Sequence, residues 1–433
     1  MFPSLKLPAA ASRFLTRWDQ PPSHHRLATL FVDNHPLLSD EPASLMSEIP
    51  LSEPDITENE VAAVTEALRK GRLSGGPRRD LFEQMIAERV GRRNAIVISS
   101  GSMGLRLVLD ALGIGPDDEV VTTTFAPIST ANCILRVGAR PVFVDIDPNS
   151  LNLDPAKLQL AITAQTKAII ATEVFGNARH MHRIEQIALN HEVPLLEDAR
   201  AAFGGRFDSR LTGSFGRASV VSFSYDCQIT AGEGGAIVTD DDRLTRTCRS
   251  LRNQGRPPDP DPDSPPTNAP VDHERLGDNC RLSELACSLG VAQMERIDRI
   301  LSLRREVAAR YMRHLLNWDD LVLPNVSPGN EQEMSWGRFV IRLNNLYGRI
   351  ERNRIITGLH RHEIGTANDY PCIHLQPFYQ QMFGFKKGDF PIAESISDRT
   401  IALPFYNRLD ETQVELVCHT LRVMIQREQL LQR

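Results

Sequence analysis

The sequence predicts an α/β fold: a mostly parallel central sheet in a three-layer large domain, followed by a smaller C-terminal α/β domain. Three observations predict it. Between positions 95 and 198 five short apolar runs alternate with helical patterns, the order that lays strands side by side with helices on both faces. The chain has 433 residues, 41% hydrophobic and 24% charged, enough for two globular lobes. Residues 282–315 read as one long amphipathic helix placed to bridge those lobes.

Residues 1–48 stand apart as an N-terminal extension. Met1 to Arg26 carries Lys6, Arg13, Arg17 and Arg26 against one acid, Asp19, with prolines at 3, 8, 21 and 22. This composition suits a flexible or partner-hugging arm; a targeting peptide is the other reading, although no apolar core of signal-peptide type stands out. The large domain is expected over 49–256. Thr57, with Glu60 three residues on, is a capping box that starts a helix, and a turn at Gly75-Gly76-Pro77 leads to a second helix over 80–90. Strands are expected at 95–99, 119–123, 141–145, 167–172 and 194–198. Helical patterns run through Leu112, from Ile128, over 156–162 and over 182–190. A further helix fits 240–253. The rest, 257–433, holds a Pro/Asp-rich exposed loop at 257–272, the bridging helix and the small domain, with a strand at 339–343 and a helix from about Arg349.

Composition narrows the function. A net charge of −6 and a pI near 6.1 give no general argument for nucleic acid or an anionic membrane. Seven dispersed cysteines, with no CxxC pair and no Cys/His cluster at metal-ligand spacing, read as reduced thiols in a cytoplasmic protein. No apolar run approaches the ~20 residues that span a bilayer.

The stretch from Gly213 to Gly235, GSFGRASVVSFSYDCQITAGEGG, carries the chemistry. A buried strand at 218–223 leads into an irregular polar turn, then through glycines to a strand at 236–239. Such a turn offers a ligand a hydroxyl, from Ser222, and one reactive side chain, Cys227. Upstream, Ser99-Ser100-Gly101-Ser102 follows one strand and opens a helix, so Gly101 and Ser102 would present N–H groups and a hydroxyl to an anion; an ordinary N-cap is the plain alternative. Glu197-Asp198-Ala199 ends another strand, where Asp198 is either a cap or a carboxylate awaiting a cationic partner.

Together these motifs resemble the DegT/StrS family of sugar aminotransferases, fold-type I enzymes that use pyridoxal phosphate. The family's form of the stretch runs GS(L/F)G, SF, three variable residues, Lys, then roughly NLTTGEGG. Here Ser222-Phe223 matches SF, Ile229-Thr230 matches LT and the GEGG is intact, with Cys227 in the lysine column. No lysine occurs between Lys167 and Lys386, so no shift of register restores the amine. The resemblance covers about 49–425. It implies that Gly101, Ser102 and Ser222 hold the cofactor phosphate and that Asp198 pairs with the pyridine nitrogen. It further implies that Asn279, in LGDNCRLSELA, contacts the phosphate in the neighbouring subunit of a dimer.

The reactive end departs from the family. Ala201 stands where Gln or His is common, with Arg200 beside it, and the column of the stacking aromatic falls on Pro127, two residues from Phe125. A lysine amine forms an imine and then moves a proton; a thiol with a pKa of about 8.5 suits neither task. A homodimer is expected, with a heterodimer with an active paralogue as the alternative. Three readings stay open. The protein holds pyridoxal or pyridoxamine phosphate non-covalently and acts on a nucleotide-linked sugar or aminocyclitol; or it is an inactive subunit paired with an active paralogue; or Cys227 is a nucleophile for other chemistry. His374 either faces the mouth of the site or is structural.

Overall fold

The computed structural model describes residues 48–257, 272–325 and 332–432. The expected N-terminal arm and nearly all of the Pro/Asp-rich insertion lie outside the described residues.

The chain enters through α1 (Glu58–Lys70), capped as the sequence indicates: Thr57 and Glu60 bond reciprocally. Next come α2 (Pro77–Val90), β1 (Asn94–Ile98), α3 (Gly101–Ala111), β2 (Glu119–Thr123), α4 (Ile128–Arg136), β3 (Arg140–Val144), α5 (Pro155–Ala161), β4 (Thr166–Thr172), α6 (Met181–Asn190) and β5 (Leu195–Asp198). Two short strands, β6 (Arg206–Phe207) and β7 (Arg210–Leu211), precede β8 (Ala218–Ser222), β9 (Gly235–Thr239) and α7 (Asp242–Arg252). The central sheet has the order β1-β9-β8-β5-β4-β2-β3, in which β9 alone runs against its neighbours. Alternation of side chains builds the three layers. From β1, Ala95 and Val97 join Phe82 and Ile86 of α2 on one face, while Ile96 and Ile98 join Leu105, Val108 and Leu109 of α3 on the other.

The expected 34-residue bridging helix is two helices, α8 (Glu284–Glu295) and α9 (Ile297–Leu315). The break falls at Arg296, whose backbone leaves the helical region at φ −122°. Arg296 and Gln293 both reach the entry to α1, bonding Glu60 and the carbonyl of Asp55. Buried side chains surround most of α8, whereas α9 carries the amphipathic pattern. The second lobe adds β10 (Leu321–Val322), β11 (Gln332–Glu333), β12 (Phe339–Leu343), α10 (Arg349–Arg361), α11 (Pro377–Phe383), α12 (Pro391–Ser397), β13 (Thr400–Leu403) and α13 (Glu411–Gln432). Its sheet, β10-β12-β13, packs on α9, α10 and α13 through Tyr311, Phe339, Leu359 and Val417. Strand β11 instead pairs with β6. Among the described residues no helix is long and apolar enough to cross a membrane.

Candidate functional site

The carboxyl ends of β2, β4, β5 and β8 and the loops beyond them wall a cavity of about 230 Å³, in the position where open α/β sheets bind ligands. The large domain contributes Pro127, Thr172, Asp198, Arg200, Ser222 and Cys227, among others, and the second lobe adds Gly337, Arg338 and Tyr370. Asp198, at the end of β5, therefore shares one hollow with Ser222 and Cys227 beyond β8. No lysine lines it.

Each wall residue has a local cause. The GSFG that opens the 213–235 stretch serves as an anchor: the N–H groups of Gly213 and Phe215 donate to the Glu197 carboxyl at 2.6 and 2.8 Å, and the Ser219 hydroxyl donates at 2.6 Å. This ties β8 to β5 directly behind Asp198. Beyond β8 the turn is compact. The Ser224 hydroxyl donates to Asp226 at 2.7 Å and lies 3.2 Å from Cys227 Sγ. Burial, then the Asp226 carboxylate, push the Cys227 thiol pKa up, so sulfur carries its proton at neutral pH. Gln228 fixes the turn from the other side, its amide donating to the carbonyl of Ala201 at 2.7 Å and to Ser335 Oγ at 2.8 Å.

Arg200 dominates the floor. Its Nε donates to Asp198 Oδ1 at 2.6 Å and its Nη2 to Oδ2 at 2.7 Å, a bidentate fork on a carboxylate that is 1% exposed. Oδ2 also accepts from the hydroxyls of Thr130 and Thr172, each at 3.1 Å. The other guanidinium edge reaches Ser129 Oγ at 2.7 Å and Ser102 Oγ at 3.4 Å. The Arg200 stem lies over Gly101, where a Cβ would stand 2.6 Å from Arg200 Cδ. Despite burial, the Asp198 charge raises the pKa of Arg200 above its ordinary value, so the pair is ionic.

Asn279 is exposed, bridges to Asn253 through the backbone and does not line the cavity of its own chain. Phe125 is fully buried behind the wall, edge-on to Phe175 and Tyr370. His374 is also fully buried; its ring bonds Thr124 Oγ1 at 2.7 Å and Glu394 Oε1 at 3.0 Å, which resolves it as structural. Arg338, Tyr370 and the pairing role of Arg200 were missed. Arg338 clamps Asp226 and Asp369 together, and buried Arg304 of α9 holds the carbonyls of Trp336 and Gly337 that deliver it. The signal for Arg200 was present: a long cation two residues after a strand-end aspartate can fold back onto it.

The fold and the cavity at its strand ends define a protein of the fold-type I aminotransferase class. Residues 54–422 match the family model described as the DegT/DnrJ/EryC1/StrS aminotransferase family, and the chain belongs to that family. It is similar to the spore coat polysaccharide biosynthesis protein SpsC of Bacillus subtilis (strain 168), 35% identical over 379 residues that cover 87% of this chain and 97% of the relative. Among solved structures it resembles the aminotransferase TlmJ from Streptoalloteichus hindustanus, with a TM-score of 0.80 at 28% identity, over 88% of this chain and 100% of that one. It also resembles Helicobacter pylori PseC, an aminotransferase involved in the biosynthesis of pseudoaminic acid, with a TM-score of 0.81 at 26% identity, over 87% and 99% of the two chains.

Pyridoxal phosphate, which the family implies, meets a site that fits it only in part. Ser222 lines the cavity at the end of β8, whereas Ser102 does not line it and accepts from Arg200 Nη1 at 3.4 Å, and Ser100 caps α3 by accepting from the Met103 N–H. The ring end does not fit. Asp198, the residue the resemblance gives to the pyridine nitrogen, already receives four hydrogen bonds and a full counter-charge from its own chain.

Proposed function

We propose that this chain is a sugar-aminotransferase-family protein without lysine-dependent transaminase activity of its own, serving as a non-catalytic subunit beside an active relative. The observation that carries this reading is the cavity wall: Cys227 lies with Asp198 and Ser222, in the lysine column of the family stretch, and among the described residues no amine stands in for it. A protonated thiol cannot make an imine with an aldehyde, and loss of the general base alone costs roughly 10²–10⁴ in rate. The exposed position of Asn279 suits a residue lent to a partner's site.

The test is reductive trapping. Purified protein incubated with pyridoxal phosphate, reduced with borohydride and mapped by mass spectrometry should carry no pyridoxyl group on the 213–235 peptide. A stoichiometric adduct there overturns the proposal. Coexpressed with an active family member from the same genome, the chain should form mixed dimers in which Asn279→Ala weakens the partner's cofactor binding without disturbing assembly.

A second reading keeps a cofactor, pyridoxal or pyridoxamine phosphate held without a covalent link, acting on a nucleotide-linked sugar. The Ser222 hydroxyl on the cavity wall favours it.

A further inference from the structure

We propose that Arg200 is a built-in occupant of the ring subsite, whose guanidinium takes the Asp198 carboxylate and so competes with any cationic ring, including that of a vitamin B6 phosphate. The proposal rests on ion-pair geometry and stands apart from the reading of Cys227.

The fork is anchored at both edges. One edge is bidentate on Asp198, at 2.6 and 2.7 Å. The other reaches the Ser129 hydroxyl at 2.7 Å and the Ser102 hydroxyl at 3.4 Å, so one side chain spans the carboxylate at the end of β5 and the opening of α3. Nη2 makes a further bond to Thr130 Oγ1 at 2.8 Å, and that hydroxyl itself donates to Asp198. Arg200, Asp198 and Thr130 thus close a small network that leaves neither carboxylate oxygen free.

Burial makes this a contest. The Arg200 side chain is 13% exposed and Asp198 1%, so a ligand cation cannot simply add to the pair. It must expel the guanidinium, which then loses a desolvated bidentate partner. Arg200 is also tethered two residues from its acceptor and returns at the high effective concentration of an intramolecular group. If the state with Arg200 withdrawn holds 1% of the molecules, a ligand that needs this state binds about 100-fold more weakly than its intrinsic affinity. The stem over Gly101 obstructs the α3 opening as well.

The probe is pyridoxamine phosphate, which has no aldehyde and so reports binding without covalent chemistry. Equilibrium binding to the full chain, followed by ligand fluorescence, should tighten at least tenfold in Arg200→Ala and in Arg200→Gln. It should tighten less in Arg200→Lys, which keeps the cation but not the fork, and the gain should vanish in Arg200→Ala/Asp198→Asn. Affinity unchanged or weakened in Arg200→Gln, at a wild-type melting temperature, overturns the proposal. If the neutral variants do not purify folded, refolding with pyridoxamine phosphate decides. Recovery of a cooperative melt that depends on the ligand supports the proposal, and failure to recover contradicts it. A trapped adduct on the wild-type 213–235 peptide would sink the non-catalytic reading and leave this result untouched.

Discussion

At Cys227 the sulfur sits 3.2 Å from the Ser224 hydroxyl and near Asp226, a surrounding that keeps the thiol protonated rather than activating it. Similar logic governs the carboxyls behind the site. Glu173 is fully buried, no donor reaches either of its oxygens among the described residues, and Glu197 faces it. A proton on Glu173, given to Glu197, satisfies both. Burial, then the Glu197 charge, hold the Glu173 pKa well above its ordinary value. Because the folded pKa is raised, the stability this group contributes is intact below the unfolded value of about 4.5 and is lost as pH rises towards the folded value. Glu173→Gln, which cannot ionise, should therefore gain on the wild type with rising pH, by about 1.4 kcal/mol per unit between those two pKa values. Denaturant unfolding at pH 5, 6, 7 and 8 checks this, and parallel profiles would refute it. Sequence made Asp198, Ser222 and Cys227 legible because strand ends and a fixed motif register place them whatever their rotamers. Arg200 escaped because its meaning lies in a side chain turned back on its own strand.

Most helices and strands up to α7 were readable, because apolar periodicity and capping residues act over a single turn or strand; the two-residue strands β6, β7, β10 and β11 and the helices α11, α12 and α13 were not read. The α8–α9 break was hidden as well. An unbroken apolar pattern cannot show that Gln293 and Arg296 are drawn to Glu60 and Asp55, more than 230 positions earlier. Independent burial of α8 has a sharp test at Gly290, where an added Cβ would stand 2.4 Å from the Phe82 ring of α2. Phe82 is fully buried and has no room to retreat, so Gly290→Ala should destabilise the protein by about 1–3 kcal/mol despite alanine's better helix propensity. Thermal or urea unfolding measures it, and a stabilised variant would mean that α2 and α8 pack less closely than described. At the other end of the same junction Glu60 is held down to about 2: burial raises its pKa, but bonds from Thr57 and Arg296 outweigh that. Its contribution is present above the unfolded value near 4.5 and fades as pH falls towards 2, so the wild type should lose more stability in acid than Glu60→Gln does.

The whole molecule assembles its site from both lobes, and here the sequence says least. Arg338 and Tyr370 come from over 100 residues beyond Cys227; Arg304 of α9 holds the backbone that delivers Arg338, while Tyr370 stacks on Phe175 and its carbonyl accepts from Ser397. No local motif announces that meeting. What results is a family fold with its strand-end hollow preserved and its ionic groups paired internally, Arg200 with Asp198 and Arg338 with Asp226 and Asp369. On the proposed function, two side chains, Cys227 in the family's lysine column and the Arg200 guanidinium on Asp198, separate this chain from imine chemistry. Reductive trapping with pyridoxal phosphate in Cys227→Lys and in Cys227→Lys/Arg200→Ala tests it most directly. The account predicts little adduct at position 227 in the single variant and near-stoichiometric adduct in the double variant. Equal labelling of the two, or none in a folded double variant, would contradict it.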